Sequence, residues 1–333
     1  MNIDVLQQRL RRLEPLELGQ FPTPLAPLPR LTATLAGPEI WIKRDDLSGL
    51  GGGGNKIRKL RYLAAEARRQ ECDVLMTTGA QQSNHARQTA GVAARLGLSC
   101  VLVLGGGPPL EAKGNYLLDT FFGAEIRWAG ERPLVEALEA EADALRGEGR
   151  RPFVVPYGGS NGLGASGFVE GFVEVMLQAR ERALDFDAIV VASSSGGTQA
   201  GLTVGAYALK SPTRVVGISI ADRNPVLRRN LVDIAAQIQS RLDLNIELGP
   251  EQFVTIDDYL GGGYGVVDAL ERQAIQTLAC TEGLLADPVY TGRALGGLMD
   301  LIRTGAFNHD ERVLFWHTGG SPALYAYAKD LLQ

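Results

Sequence analysis

Lys56 has the setting that most suggests chemistry, because it lies in the segment GLGGGGNKIRKLRYL, where a glycine run gives way to an apparent helix. Glycines let the backbone approach a bound group closely, and a lysine amine placed there can hold an aldehyde cofactor as a Schiff base. A Gly-rich turn before a helix with solvated lysines explains the same residues. A nucleotide-binding P-loop does not, because Ile57 follows the lysine where a Ser or Thr is required.

A second polar turn lies in the segment TTGAQQSNHARQ, where an apolar run ends and a helical pattern begins. Ser83, Asn84 and His85 offer a hydroxyl, an amide and an imidazole beside the free N–H groups of a helix start. This combination suits a carboxylate. The alternative is structural, with Ser83 or Asn84 as an N-cap and His85 as a packed or solvated helix residue.

A third turn, in VVASSSGGTQAGLTVG, has the form of a phosphate site. Ser195, Gly196, Gly197 and Thr198 end an apolar strand and open a helix, so that backbone donors, a helix N-terminus and a hydroxyl come together. A tight turn that binds nothing has the same composition. No acidic residue follows where a ribose would need one, which weakens a dinucleotide interpretation.

Two further turns and one glycine-rich run place polar side chains after apolar segments. Tyr290 and Thr291 lie at a helix start in LLADPVYTGRALGG, and His317 and Thr318 close a strand in LFWHTGGSPALYAY. Tyr264 lies in GGGYGVV. Each is explained structurally by a buried tyrosine hydroxyl or a threonine cap. Their number favours convergence on one site.

Short β-rich runs alternate with longer stretches of helical period, which indicates α/β units built on parallel sheets. Parallel sheets bind ligands beyond the carboxyl ends of their strands, so the polar turns are expected to meet there. The predicted strands are EIWIKRDD, DVLMTTGA, SCVLVLGG, AEIRWAG, PFVVPYGG, DAIVVASSSGG, TRVVGISIA and RVLFWHTGG.

The composition narrows the kind of partner. The chain has 333 residues, 45% of them hydrophobic and 21% charged, with a formal net charge of −5. This length suggests two domains with ample core. Mild acidity, scattered arginines and 7% aromatic residues argue against nucleic acid and favour a small-molecule substrate.

Cysteine spacing and hydropathy predict neither metal nor membrane. Cys72, Cys100 and Cys280 lie far apart without CxxC spacing, so we predict no disulfide and no metal site and interpret all three as core residues. The start of the chain lacks the apolar core of a signal peptide, and no later segment is apolar for long enough to span a bilayer. We expect a cytoplasmic protein.

In this order the motifs resemble those of the fold-type II pyridoxal phosphate enzymes, within them the D-cysteine desulfhydrases and 1-aminocyclopropane-1-carboxylate (ACC) deaminases. The resemblance runs from FPTPLAPLPRL through IKRDDLSGLGGGGNKIRKL, TTGAQQSNHARQTAGVAARLG, SSSGGTQAG, GYG and DPVYTGRA to HTGGSPAL. It implies pyridoxal 5'-phosphate and a two-domain α/β fold like tryptophan synthase β, with open, twisted, mostly parallel sheets and helices on both faces. We expect a smaller inserted domain at residues 63–168, a larger one from 1–62 and 169–333, the cofactor between them, and a homodimer.

The resemblance assigns roles to the residues around the lysine. Lys56 matches the Schiff-base lysine, and Asn55 precedes it as in the family. Asn84 is expected to hydrogen-bond the phenolic oxygen of the cofactor. Ser83, with Asn84 and His85, is expected beside the substrate carboxylate.

The same resemblance assigns the remaining cofactor contacts and the tyrosines. The turn from Ser195 to Thr198 matches the phosphate loop, and Lys59 is expected to assist it. Tyr264 and Tyr290 match the two active-site tyrosines.

Three positions depart from the deaminase pattern and resemble the desulfhydrases. Thr291 replaces a glutamate, Thr318 replaces a leucine, and His85 replaces a glutamine. A carboxylate beside the pyridine nitrogen keeps that nitrogen protonated, whereas a threonine hydroxyl shares a hydrogen bond with a largely neutral nitrogen. The weaker electron sink suffices when a good leaving group departs from the next carbon. We therefore predict β-elimination, converting D-cysteine to pyruvate, sulfide and ammonia.

Several alternatives stay open at this level. Lys56 is the predicted base, and Tyr290 is the alternative. L-Cysteate sulfo-lyase and ACC deaminase are rival activities, and a protein that binds cofactor or amino acid without catalysis is a third possibility. Arg58, Arg87 and Lys113 are available for an anionic side chain, but we interpret each as surface charge.

Overall fold

Ten strands form two sheets in the computed structural model, which describes residues 1–332. They are β1 (Leu25–Pro27), β2 (Glu39–Arg44), β3 (Val74–Gly79), β4 (Ser99–Leu104), β5 (Glu125–Trp128), β6 (Pro152–Val154), β7 (Ala188–Ser193), β8 (Arg214–Ser219), β9 (Val254–Ile256) and β10 (Arg312–His317). All eight predicted strands are present. Sequence reasoning missed β1 and β9, which have three residues each and lie at the two edges of the larger sheet.

Within residues 1–332, thirteen α-helices connect the strands or cover the sheets. They are α1 (Ile3–Arg11), α2 (Pro29–Leu35), α3 (Lys56–Arg69), α4 (Asn84–Leu96), α5 (Gly114–Phe121), α6 (Leu134–Gly147), α7 (Gly162–Glu181), α8 (Gly197–Ala208), α9 (Asn224–Leu242), α10 (Ala269–Glu282), α11 (Thr291–Arg303), α12 (Pro322–Ala326) and α13 (Ala328–Leu331).

The larger sheet has the strand order β1-β2-β10-β7-β8-β9, and the smaller has β5-β4-β3-β6. Every pairing is parallel except that of β1 with β2. Ala188 and Val190 of β7 pack with α10 and α11, whereas Ile189 and Val191 pack with α7 and α8. Because both faces are covered, such strands are continuous apolar runs. The predicted α/β class is confirmed.

The smaller sheet is covered on both faces as well. Leu75 and Leu102 pack with α3 and α4 on one face, and Val74 and Val101 pack with α6 on the other. Four strands, β3, β6, β7 and β10, end directly before polar turns. These turns lie at the carboxyl ends of parallel strands, where the sequence places the chemistry.

The strands between residues 74 and 154 form the smaller sheet, and all others form the larger one. The predicted boundaries at 62/63 and 168/169 fall inside α3 and α7, which pack against each other. The division into 63–168 and the remainder stays a prediction. Of the three cysteines interpreted as core, Cys100 is buried and Cys72 is partly buried against the core, but Cys280 is exposed near the end of α10, so that interpretation was wrong for Cys280.

Candidate active site

Lys56 is the first residue of α3, and backbone hydrogen bonds fix the turn that delivers it. Gly54 N donates to Asp45 O at 2.9 Å, and Asn55 N donates to Thr318 O at 2.9 Å. The Lys56 Nζ atom lies 3.5 Å from Gly158 O. Burial lowers the pKa of Lys56 to about 8. Roughly a tenth of these amines are therefore unprotonated at pH 7, which suits a nucleophile or a base.

Lys59, one turn further along α3, connects the lysine turn to the serine–glycine turn. Its Nζ atom donates to Gly158 O at 3.0 Å and to Ser160 Oγ at 2.8 Å. Ser160 Oγ lies 2.7 Å from Ser195 Oγ and accepts from Gly197 N at 3.3 Å. Burial, followed by repulsion from Lys56, lowers the pKa of Lys59 well below its ordinary value. An anion in this turn would relieve that cost.

The serine–glycine turn joins β7 to α8 in the form that the sequence predicted. Gly196 has φ +82°, and Gly197 begins α8 with its free N–H groups toward the turn. A Cβ atom on Gly197 would lie 2.6 Å from Ser160 Oγ and 2.9 Å from Lys59 Nζ, so only glycine leaves this space open. Thr198 Oγ1 accepts from Asn55 Nδ2 at 3.2 Å, which ties the turn to the residue before Lys56.

The start of α4 combines the structural and the functional interpretations of the SNH turn. Ser83 is the N-cap and accepts from Ala86 N at 3.1 Å. Asn84 Oδ1 is buried without a hydrogen-bond partner among the described residues. A buried orphan amide oxygen at a cavity wall is costly and indicates a missing ligand.

His85 is held in one orientation behind this turn. Its Nε2 atom lies 2.8 Å from Thr77 Oγ1, and that hydroxyl donates to Val155 O at 2.9 Å. Burial, then the charges of Lys56 and Lys59, lowers the pKa of His85 well below its ordinary value, so the ring is neutral. The Nδ1 atom has no partner within residues 1–332. With Nε2 donating to Thr77, Nδ1 presents a lone pair.

The two predicted tyrosines meet each other. Tyr264 Oη lies 2.8 Å from Tyr290 Oη, and their ring centroids are 5.9 Å apart at 72°. Burial raises the pKa of both hydroxyls, so both carry their protons near neutral pH. Both hydroxyls are therefore available as hydrogen-bond donors, although the raised pKa makes each a weaker acid than a free tyrosine.

The Thr291 hydroxyl is hydrogen-bonded to Asp287, a residue that sequence reasoning missed. The buried Asp287 carboxylate accepts from the N–H groups of Val289, Tyr290 and Thr291 at 2.8–3.0 Å. Thr291 Oγ1 donates to Asp287 Oδ1 at 2.7 Å and accepts from Asp287 N at 2.6 Å. Its proton is thus used inside the cap of α11. Thr318 lines the cavity instead.

One cavity gathers most of the predicted residues. Of the predicted site residues, those on its wall are Asn55, Lys56, Ser83, Asn84, His85, Ser195, Gly196, Thr198, Tyr290 and Thr318. Lys59, Gly197, Tyr264 and Thr291 lie behind that wall. Lys59 bonds to Gly158 and Tyr264 to Tyr290, whereas Gly197 and Thr291 directly follow the wall residues Gly196 and Tyr290 in the chain.

Sequence reasoning missed several wall residues. Tyr157 and Gly158, in the turn after β6, and Ser193 and Ser194, at the end of β7, also line the cavity. The signal was present, because PFVVPYGG ends in the same glycine-rich way as the other functional strands. Tyr157 also lines a wider open cleft beside the cavity, so its half-exposed ring stands at the entrance.

Arg58 and Arg87 are fully buried, so their interpretation as surface charge was wrong. Arg58 bonds to the carboxylates of Asp45 and Glu174 at 2.8–2.9 Å. Arg87 bonds to carbonyl groups of the glycine run. Lys113 is exposed and pairs with Glu111, as expected of a surface residue.

The match to a family model identifies the class. Residues 16–319 match the family described as pyridoxal-phosphate dependent enzyme, and the chain belongs to that family. The cofactor is thus pyridoxal phosphate, as the resemblance implied.

Curated relatives are similar over nearly the full length. The chain is 44% identical to a D-cysteine desulfhydrase of Klebsiella pneumoniae (strain 342), with 96% of this chain and 98% of the relative covered. It is 44% identical to a D-cysteine desulfhydrase of Salmonella newport (strain SL254), with 96% and 97% covered. Membership in the group that the motifs resemble is confirmed.

Solved structures agree on the fold. An ACC deaminase homologue superposes with a TM-score of 0.89 at 38% identity, covering 97% of this chain and 98% of that chain. A threonine deaminase from T.th. superposes with a TM-score of 0.67 at 18% identity, covering 96% and 98%, and supports the fold alone. The predicted fold type II is confirmed.

The residues present fit pyridoxal phosphate. The Gly197 cradle, the α8 N-terminus and Lys59 suit its phosphate, and Lys56 suits its aldehyde. The Asn84 amide lines the same cavity, and its Oδ1 atom has no partner among the described residues. Within residues 1–332 no helix has the length and apolarity to cross a membrane, and no cluster of His, Cys, Asp or Glu is placed to hold a metal ion.

Proposed function

We propose that the protein is a carbon–sulfur lyase that converts D-cysteine and water to pyruvate, sulfide and ammonia. The observation that carries the proposal is the meeting of a weakly basic Lys56, the Ser83–Asn84 turn and the Tyr290 hydroxyl around one cavity. The curated relatives named as D-cysteine desulfhydrases support this choice of substrate.

Pyridoxal phosphate, when bound, supplies an aldehyde that binds amines and a ring that withdraws electrons from the α-carbon. The serine–glycine turn from Ser195 to Thr198 holds its phosphate, assisted by Lys59. Asn84 Nδ2 is proposed to donate to the phenolic oxygen. Asn55 fixes the turn by donating to Thr198 Oγ1 at 3.2 Å.

The substrate carboxylate is proposed to lie at the start of α4. Ser83 and the N–H groups of the first turn supply donors there, and a helix N-terminus favours an anion. His85 borders this position, and because Thr77 and burial hold its ring neutral and fixed, its proposed part is to shape the pocket.

Lys56 is the proposed base that removes the α-proton. Its lowered pKa keeps a useful unprotonated fraction at neutral pH, and its Nζ atom projects into the cavity. Tyr290, held by Tyr264, is proposed to stabilise the departing sulfur by donating a hydrogen bond to it, because burial keeps both hydroxyls protonated.

The threonines separate this activity from ACC deamination. Thr318 is proposed to meet the ring nitrogen, with Thr291 fixing Tyr290 through Asp287. No carboxylate lines the cavity wall in the described part of the chain, so nothing holds that nitrogen protonated. This favours loss of a good leaving group over opening of a cyclopropane.

Two broader features are proposed with the function. The protein is proposed to act in the cytoplasm, where free cysteines stay reduced. A homodimer is proposed from the family resemblance. Apolar side chains exposed near α5 and α12, Leu110 and Tyr325 among them, provide surface of the kind that dimers bury.

Product analysis with cofactor-loaded protein tests the function. D-cysteine, L-cysteine, L-cysteate and ACC are offered in parallel, and pyruvate, 2-oxobutyrate, sulfide and sulfite are measured. Pyruvate with sulfide from D-cysteine supports the proposal. Products from ACC or L-cysteate alone would replace it by the deaminase or the sulfo-lyase, and no product from any substrate would favour a binding protein.

The Lys56→Ala variant tests the central residue. We expect turnover of D-cysteine to fall by more than about 10³-fold, because both the amine that binds the cofactor and the base are lost. The visible absorbance of the cofactor bound to the lysine should also disappear. The matched control is Lys113→Ala, which removes an exposed lysine and should behave as wild type. Substantial turnover in Lys56→Ala would contradict the assignment.

A further inference from the structure

The glycine run before Lys56 is hydrogen-bonded by the buried side chain of Arg87, a residue of α4. Arg87 donates from Nη1 to Gly51 O and from Nη2 to Gly53 O, the latter at 3.0 Å. A planar guanidinium can bond two carbonyls of one loop at once, which a lysine cannot do. Because the glycines have no side chains, these carbonyls are what a neighbour can hold.

The same arginine is tied to the turn proposed to bind the substrate carboxylate. Arg87 Nε donates to Asn115 Oδ1 at 2.6 Å, and Asn115 Nδ2 donates to Gln82 O at 3.0 Å. Gln82 Oε1 in turn accepts from Asn115 N at 2.8 Å. Arg87 also stands on the first turns of α4, whose N-cap is Ser83. A shift of the Ser83 turn would therefore move the guanidinium of Arg87 as well.

Gln88 makes a second connection between the same two places. Its Nε2 atom donates to Asn84 O at 3.1 Å, and its Oε1 atom accepts from Ile57 N at 3.1 Å. Ile57 follows Lys56 directly. Neighbouring side chains of α4 thus hold the chain on both sides of the lysine.

Arg87 differs from a buried arginine held in an ion pair, because its hydrogen-bond acceptors are uncharged. It is fully buried, yet within residues 1–332 its hydrogen bonds go to two carbonyls and one amide and to no carboxylate. The Asp119 carboxyl is buried near Arg87 without bonding to it, and burial favours its protonated form, so it does not form an ion pair with the guanidinium. Exchanging one carbonyl contact for another leaves no second charge unpaired, whereas breaking a buried ion pair does, so these contacts can rearrange more easily.

We propose that Arg87 is a positioning residue that couples occupancy of the Ser83–Asn84 turn to the placement of Lys56 through the glycine run. Filling the turn draws α4 toward the ligand, and Arg87 draws Gly51 and Gly53 with it. The lysine is then held in its working position when substrate is present. This inference rests on the proposed function to the extent that an amino-acid carboxylate binds at Ser83.

Hydrogen–deuterium exchange on cofactor-loaded protein tests the coupling without turnover. The probes are D-alanine and L-alanine, which have an amino-acid carboxylate but no leaving group. In wild type, at least one of them should slow exchange by about threefold or more in residues 82–88 and also in residues 49–56. In Arg87→Met the first segment should keep its protection and the second should lose it.

Two further variants keep the test sharp if Arg87→Met folds poorly. Arg87→Lys retains the buried cation but cannot bond both carbonyls, so it should also weaken protection of residues 49–56. Arg95→Met, an exposed arginine on the same helix, should match wild type in both segments. Full protection of residues 49–56 in both Arg87 variants would overturn the proposal, as would the absence of any alanine-induced protection of residues 49–56 in wild type.

A kinetic readout separates positioning from mere stability. The kcat of Arg87→Lys for D-cysteine should fall by about 10- to 100-fold while KM changes by less than about threefold, because a misplaced lysine slows the chemical step. A change in KM alone would overturn the coupling. If wild type leaves D-cysteine unchanged but the exchange pattern is as expected, the proposed function fails and the coupling stands.

Discussion

Two buried arginines hold the segment that carries Lys56, and they differ in their hydrogen-bond partners. Arg58 bonds to the carboxylates of Asp45 and Glu174, and Trp316 Nε1 adds a bond to Asp45 at 2.8 Å. Arg87 bonds to carbonyls and an amide. A buried ion pair resists disruption because breaking it leaves an uncompensated charge, whereas carbonyl contacts are exchanged at lower cost.

The two sets of contacts lie on different sides of the Lys56 segment, and the set around Arg58 is the harder to disrupt. The Arg58 network joins α3 to Asp45 directly after β2, to α7 and to β10, all of which belong to, adjoin or cover the larger sheet. The Arg87 contacts join the glycine run to α4 and α5 over the smaller sheet. A lysine that must meet both cofactor and substrate is thus anchored from one side and adjusted from the other.

Truncating each arginine gives the largest expected contrast in stability. Arg58→Met should lower the free energy of unfolding by about 3–5 kcal/mol, because Asp45 loses its cation in a buried site and Glu174 keeps only its pair with Lys43. Arg87→Met should cost about 1–3 kcal/mol, because it strands neutral acceptors. Chemical denaturation measures both. Equal losses would remove the basis of the comparison.

The Arg58 side should weaken in acid. Burial raises the pKa of Glu174, but the charges of Arg58 and Lys43 outweigh it and hold the pKa at about 2. The stabilisation is complete above the ordinary value of 4.5 and is lost as pH falls through about 2. Glu174→Gln should therefore be destabilised by up to about 3 kcal/mol at pH 7 and by less at pH 3. Thermal unfolding at both pH values checks this, and a penalty independent of pH would contradict it.

The contribution of Asp119, which is buried near Arg87, to stability should fall as pH rises, opposite to that of Glu174. Burial raises the pKa of Asp119 to about 8, so the fold favours the protonated carboxyl. That preference is fully present below the ordinary pKa of 3.8 and is lost as pH rises through about 8. Asp119→Asn should thus gain stability relative to wild type between pH 5 and pH 8, by up to about 1.4 kcal/mol per pH unit. Chemical denaturation across this pH range checks the trend, and a relative gain on acidification would reverse the argument.

The smallest expected effect comes from the link between Arg87 and the substrate turn. Asn115→Ala removes the acceptor for Arg87 Nε and the donor to Gln82 O, so it should cost about 1 kcal/mol in unfolding. It should also reduce the alanine-induced protection of residues 49–56 without abolishing it, because the bonds of Arg87 to the glycine run remain. Loss as large as that in Arg87→Met would place the coupling in Asn115 instead.

Most of the fold could be predicted because buried parallel strands are apolar on both faces. β3, β4, β7 and β10 are readable for that reason, whereas β1 and β9 are too short for any period to show. The chemistry-bearing turns were readable because glycine, serine and asparagine follow strand ends. The functional roles of individual residues stay predictions.

The buried arginines could not be predicted from helical period alone. The apolar stripe of α3 predicts one buried face, and Arg58 lies outside that stripe, yet α7 covers it. A Cβ on Gly167 would lie 2.1 Å from Arg58 O, and Gly171 would approach Arg58 Cδ at 3.5 Å. The small residues of α7 were therefore the available signal for a close second neighbour.

The glycine run also limits where this enzyme is able to change during evolution or in laboratory selection. A Cβ on Gly53 would lie 1.9 Å from Asp46 O, and one on Gly54 would lie 2.4 Å from Gln88 Nε2. Side chains larger than hydrogen are therefore least tolerated at Gly53, where the obstacle is backbone, and at Gly54, where Gln88 would have to move. New substrate preferences have to enter through the residues that surround the run, and libraries directed at α4 and α5 will sample them more productively than libraries directed at the loop beside the lysine.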